Sequence, residues 1–292
     1  MKILAVFLVI VAFGRVSAQE YAFKVLISKG QNEIRTGNEW FPVKVGASLK
    51  SADELRISQN GYLGLVHITG KPLEIKNAGQ HKVADLAARM KGGSSVLNKY
   101  TEFILSSSVV KSNNLTATGA VKRGTDRIKV LLPNPQLAIV FNDVISISWT
   151  NDPNTSTYVV GFHSMFGDEL HKIEVADTTI SVDLNNAKFS NEDNIVVRVT
   201  SKNDSNIVSE DFVLKKLSAA DKKRIKALLI EVEGQTKDET ALNQLYLAAF
   251  YEQNALLIDA GTAHRKAMQL APNVPHYTEA YNQYLLRNGL NE

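Results

Sequence analysis

The chain has 292 residues, 44% of them hydrophobic and 22% charged, with a formal net charge of +3 and no cysteine. That length carries two or three domains of ordinary size, each able to bury a core, and the composition excludes wholesale disorder. Without cysteine there is no disulfide, thiol nucleophile, cysteine-based zinc site or iron–sulfur cluster, so stability must rest on packed cores.

The first eighteen residues read as a secretory signal peptide. Lys2 supplies the positive start, Ile3 to Phe13 the apolar run, and Val16-Ser17-Ala18 a small-residue cleavage site before Gln19. The run is short for a membrane span. Removing Lys2 and Arg15 with it leaves 31 basic against 30 acidic residues, a net charge of +1. A near-neutral chain without a basic stripe argues against nucleic acid as a partner. No later segment is apolar for long enough to cross a bilayer. An exported chain without cysteine fits a bacterial periplasm, or the cell surface, better than a eukaryotic secreted domain. Sequons at Asn114, Asn154 and Asn203 are too short a pattern to imply glycosylation.

Residues 19–82 predict a small all-β unit. "FKVLIS", "EIRT", "ELRIS", "YLGLVHI" and "PLEIK" are strand-like runs cut by Gly, Asn, Lys and Ser. Leu63 and Leu65 point one way while Tyr62, Val66 and Ile68 point the other, which predicts a central strand with two apolar faces. Gly64 inside it leaves room for a close neighbour. Gly61 and Gly70 read as turn residues, and no helix start follows to make a phosphate loop.

The stretch from Leu26 to Gly79 resembles a FecR-type domain. The matching positions are Gly30, Trp40, Val43 to Gly46, Leu49, Asp53, Leu55, Arg56, Gly61, Leu63, Leu65, Gly70, Leu73 and Ile75. Ala52 departs from the pattern, where a glycine usually precedes the aspartate. The resemblance implies a small β domain of the bacterial envelope. Some relatives relay signals to sigma regulators through a membrane helix; this chain shows no such helix, so that activity does not carry over.

Residues 83–127 form a helical and polar connector. Val83, Leu86, Ala87 and Met90 have helical spacing, as do Leu97, Tyr100 and Ile104, with Gly92-Gly93 breaking the run. Residues 128–217 return to β alternation in "IKVLLP", "LAIVF", "ISISW", "TYVVGFH", "HKIEV", "TISVDL", "NIVVRVT" and "DFVLKK". Short strands about ten residues apart predict a β-sandwich. With Trp149, Tyr158 and Leu184 at strand ends, the segment is similar to fibronectin type III and other immunoglobulin-like modules, a likeness of fold rather than function.

Residues 218–292 are helical. Ser218 with Asp221 predicts a helix start, and Ile225, Leu228, Leu229 and Val232 an apolar stripe. Three further helices are expected over about 239–253, 257–270 and 275–287, with Pro272 stopping the third. Residues 241–273 resemble one tetratricopeptide repeat, on Leu247, Ala248, Tyr251, Ala260, Ala267 and Pro272. Gln244 and His264 depart from it, each standing where an aromatic is usual. A single repeat cannot bury its own faces, so the flanking helices must act as caps. On this resemblance the candidate protein-binding residues are Gln244, Tyr251 and His264.

A search for catalytic chemistry finds little. His163 and His171 flank a hairpin with Asp168 and Glu169 nearby, but their spacing matches no ligand pattern, so they read as half-exposed hairpin residues. His67 reads as a strand-end residue. Ser108 to Lys111 fits S-x-x-K without partner motifs. The acidic stretch 193–211 lacks the calcium-loop pattern. No phosphate loop, nucleophile elbow, zinc-protease helix or dinucleotide fingerprint is present. The expectation is therefore a multidomain, mainly β protein with a C-terminal α region: a FecR-like domain, a β-sandwich and a helical tetratricopeptide-like cap. It is expected to be a non-enzymatic scaffold or interaction protein of the envelope, with a protein or peptide partner and no catalytic, metal or cofactor residues. The alternatives are a ligand-sensing part of a sigma-regulator pathway, or a carbohydrate-binding or hydrolytic accessory.

Overall fold

The computed structural model describes residues 21–90, 95–109, 128–134, 138–234, 236 and 238–290. The signal segment, Gly92-Gly93, the polar loop with Asn114, and Lys111 of the S-x-x-K match lie outside the described residues. The chain is β-rich, with four sheets preceding a run of C-terminal helices.

The first β unit comprises β1 (Phe23–Lys29), β2 (Glu33–Thr36), β3 (Glu39–Pro42), β4 (Ser48–Leu49), β5 (Glu54–Ile57), β6 (Tyr62–His67), β7 (Pro72–Ile75) and β8 (Gly79–Lys82). They form two antiparallel sheets, ordered β4-β1-β6-β7 and β3-β2-β5-β8. Phe23, Val25, Leu49, Leu55, Ile57, Leu63 and Leu65 fill the space between them. The two-faced pattern of β6 has a direct consequence. Leu63 and Leu65 enter this core, while Tyr62 and Val66, with Leu26 and Ile27 of β1, join a second core formed with helices. Gly64 is paired with Ile27, and a Cβ there would stand 3.2 Å from the Ile27 Cβ. The bare glycine thus lets these strands close without displacing Ile27. Edge strands β3 and β8 were not expected. Their sequences, EWFP and GQHK, lack alternation, and they become strands by pairing with β2 and β5.

Helices α1 (Val83–Ala88) and α2 (Asn98–Val109) follow. The second β unit comprises β9 (Ile139–Val140), β10 (Val144–Ser148), β11 (Tyr158–His163), β12 (Glu169–Val175), β13 (Thr179–Asp183), β14 (Asn194–Ser201) and β15 (Phe212–Lys216). Its sheets are β12-β11-β14-β15-β9 and β10-β13. Alternate residues Tyr158, Val160 and Phe162 on β11, and Ile195, Val197 and Val199 on β14, meet Ile145, Ile147 and Val182 in one sandwich-like core. The expected strand "IKVLLP" contributes only a bridge between Val130 and Trp149.

Four helices complete the chain: α3 (Ala219–Glu233), α4 (Ala241–Gln253), α5 (Leu257–Leu270) and α6 (Pro275–Arg287). The starts of α3, α4 and α6 have local causes. Ser218 Oγ accepts from the Asp221 N–H, Thr240 Oγ1 from the Asn243 N–H, and Pro275 opens α6. Helix α4 is buried almost all round, with Leu242, Leu245, Tyr246, Ala249 and Phe250 enclosed. Its neighbours include α2, whose Thr101 hydroxyl meets the Tyr246 hydroxyl at 2.7 Å and whose Tyr100 packs edge-on to Phe250.

These helices form a hub that holds both β units. On one side, Glu74 of β7 accepts a 2.6 Å hydrogen bond from the Leu242 N–H at the start of α4. Beside it the Tyr62 and Tyr277 hydroxyls meet at 2.5 Å. On the other side, Asp259 of α5 accepts from the N–H groups of Phe141 at 2.9 Å and Asn142 at 2.8 Å. Thr262 accepts from the Ser146 N–H at 2.9 Å, and Ile258 enters the sandwich-like core.

Candidate functional site

The three residues singled out on the helical cap are not brought together on its surface. Tyr251 is 5% exposed and packs against Phe141 and Phe250. His264 is 3% exposed, between Tyr281 and Tyr284. Burial lowers its pKa to about 3, so the imidazole is neutral at physiological pH. Gln244 is half-buried on α4. Tyr251 and His264 are thus packing residues of the helical region, and Gln244 is the more exposed of the three. A repeat taken alone leaves these positions open, whereas here α6 closes over His264 and Phe141, in the connection between β9 and β10, closes over Tyr251.

The other strongly perturbed groups also belong to internal joints. Burial first, then the neighbouring Tyr277 and Glu74, pushes the Tyr62 hydroxyl far above its ordinary range. Glu74 is itself paired with Lys76 at 2.7 Å. Asp259 is pushed up to about 6 by burial, opposed by its backbone hydrogen bonds.

An open concavity of about 440 Å³ lies elsewhere, on the outer face of the five-stranded sheet. Its floor is the middle of β11. Lys172 of β12 and Arg198 of β14 are the cross-strand partners of Gly161, so a residue without a side chain sits between two cations. The His163 ring folds back over this gap, its Nε2 only 2.8 Å from where a Cβ on Gly161 would be. Val159, Thr200 and Ser201 line the near end, and the Ser201 hydroxyl is buried without a hydrogen-bond partner among the described residues. Fixed ion pairs form the walls. Arg198 donates to Asp211 through Nε at 2.6 Å and Nη2 at 2.7 Å, and Lys202 donates to Glu174 at 2.5 Å. These hydrogen bonds hold both carboxyl groups below their usual range. Lys172 forms no salt bridge among the described residues.

The hairpin histidines separate as their register dictates. A bulge between Phe162 and His163 pairs His171 with Phe162 and Glu169 with His163. His171 stacks on Phe162 toward Phe189, while His163 lies on the outer face. The two rings therefore do not face each other, and no cluster of three potential ligands occurs among the described residues. His67 ends β6 as expected, edge-on to Phe23 and 2.8 Å from the Thr69 hydroxyl. The concavity was missed from the sequence. Its one legible signal was the glycine inside "YVVGFH", which interrupts an otherwise continuous outward row.

The outer sheet face thus carries charges of both signs, Arg198 with Asp211 and Lys202 with Glu174 in ion pairs and Lys172 close enough to help lower the Glu174 carboxyl. No family model matches the chain, and none of the curated proteins compared with it matches.

Proposed function

We propose that this chain is a non-enzymatic interaction protein of the bacterial envelope, periplasmic or surface-exposed. A FecR-like β domain and an immunoglobulin-like sandwich are held by a tetratricopeptide-like hub, and the outer sheet face of the sandwich receives a polar segment of a protein partner. The observation that carries this reading is the division of labour among ionisable groups. Those with strongly shifted pKa values are enclosed at packing joints, while the open concavity around Gly161 holds charges arranged for pairing. The helical cap spends its recognition surface inside the molecule, which moves the contact surface to the sheet.

The test is site-specific photo-crosslinking in envelope extracts. A photoreactive residue replaces Lys172 or Val159 in one set of proteins, and Glu39 on the first β unit in another. Adducts of one defined size from positions 172 and 159, absent from position 39, are the expected result. The same adducts from all three positions, or none, would remove the sheet face as the contact. Turnover of a glycan or peptide substrate by the purified protein would remove the non-enzymatic reading.

A further inference from the structure

Helix α3 breaks a local rule. Its first two turns carry Lys222, Lys223, Arg224 and Lys226 against a single acid, Asp221, and Lys215 and Lys216 stand just before it. Cations at a helix N-terminus oppose the macrodipole and cost stability. The helix also has little packing to compensate, because only Ile225, Leu229 and Val232 are buried. So much positive charge on an exposed helix start, compensated locally only by the Ser218 cap, Asp221 and the Lys222–Asp143 pair, points to a use for the charge.

Some of these cations are committed. Lys222 pairs with Asp143 at 2.8 Å, Arg224 approaches Asp221 at 3.7 Å, and Lys216 donates to the Phe189 carbonyl at 2.6 Å. Lys215, Lys223 and Lys226 are exposed or nearly so, and none has an ionic partner among the described residues. Helical spacing places Ala219, Ala220, Lys223, Ala227 and Ile230 on the face opposite the buried stripe, with Lys226 beside them. Ile230 is 60% exposed and Leu228 42%. Glu231 shares this outward face toward its C-terminal end and Glu233 follows beside it, which confines the positive field to the N-terminal part.

We infer that the outward face of α3 docks this protein on an anionic bilayer surface. Long, mobile lysines interleaved with small apolar residues and one exposed isoleucine match a plane of negative headgroups over hydrocarbon. The exposed lysines Lys223 and Lys226 stand among Ala219, Ala220 and Ala227 with no ion pair among the described residues. The contact is electrostatic, reversible and independent of the sheet-face reading.

The experiment is flotation of the full chain with vesicles of phosphatidylglycerol and phosphatidylcholine, beside vesicles of phosphatidylcholine alone. Binding to the anionic vesicles only is expected, weakening as salt is raised to roughly 0.15 M, where the Debye length is about 8 Å. The exposed pair Lys223→Gln with Lys226→Gln should lower the vesicle partition coefficient about 25-fold, since each cation near such a surface contributes about fivefold. An unchanged melting temperature for that variant keeps the result separate from misfolding. Equal binding to neutral vesicles, no binding to anionic ones, or an unaltered double variant would overturn the inference. Binding to polyglutamate without binding to vesicles would also overturn it, in favour of an acidic protein partner.

Discussion

Asp259 is fully enclosed, and its two oxygens accept the backbone N–H groups of Phe141 and Asn142 in the connection between β9 and β10. Replacing it with alanine leaves two buried donors unpaired, each costing about 1–3 kcal/mol. Asp259→Ala is therefore expected to lose about 2–4 kcal/mol in urea denaturation, and Asp259→Asn, which keeps one acceptor, clearly less. Its ionisation opposes that of His264. Folded His264 binds fewer protons than the unfolded chain between pH 6.5 and about 3, so its contribution to stability is lost as pH falls through that window. Folded Asp259 binds more protons than the unfolded chain between 3.8 and about 6, so its contribution falls as pH rises there. The two slopes, each at most ~1.4 kcal/mol per pH unit, partly cancel. Asp259→Asn should accordingly destabilise more steeply than the wild type on acidification below pH 6, and equal slopes would contradict the assignment. The His264 ring protons should show no titration in NMR spectra from neutral pH down to about pH 5, as expected for a neutral, enclosed imidazole.

At the scale of elements, legibility followed periodicity. Strand β6 could be read from Leu63 and Leu65 alternating with Tyr62 and Val66, and the structure uses both faces. Helices α4, α5 and α6 could be read from apolar spacing, with Pro272 ending α5 and Pro275 opening α6. What escaped depended on partners distant in sequence. Strands β3 and β8 exist through pairing, the faces of His163 and His171 are set by a bulge, and Tyr251 and His264 are covered by segments that a lone repeat does not contain. The whole-chain balance of charge likewise concealed the local excess on α3. That helix, held by three apolar side chains, belongs to the low-stability end of the molecule. Its amides are expected to exchange with deuterium well before those of α4, whose side chains are enclosed on nearly every side. Equal protection of the two helices would show that α3 is anchored by more than its stripe.

For the whole molecule, the central feature is the hub. Leu26, Ile27, Tyr62 and Val66 of the first β unit share one apolar core with α2, α4, α5 and α6, while Ile258, Asp259 and Thr262 tie α5 to the second. A surface cap would leave two β units unfolding separately; a shared core links their stabilities. The two tryptophans report on the two units independently. Trp40 lies on β3 with the Arg56 guanidinium 3.9 Å from its ring centroid, and Trp149 is buried against Tyr158. Equilibrium urea unfolding of Trp40→Phe and Trp149→Phe, each followed by the fluorescence of the remaining tryptophan, separates the two cases. Coincident transitions, both shifted to lower urea by the hub substitution Tyr246→Ala, are the expected result. Two transitions at different urea concentrations, with Tyr246→Ala moving neither β unit, would contradict the hub.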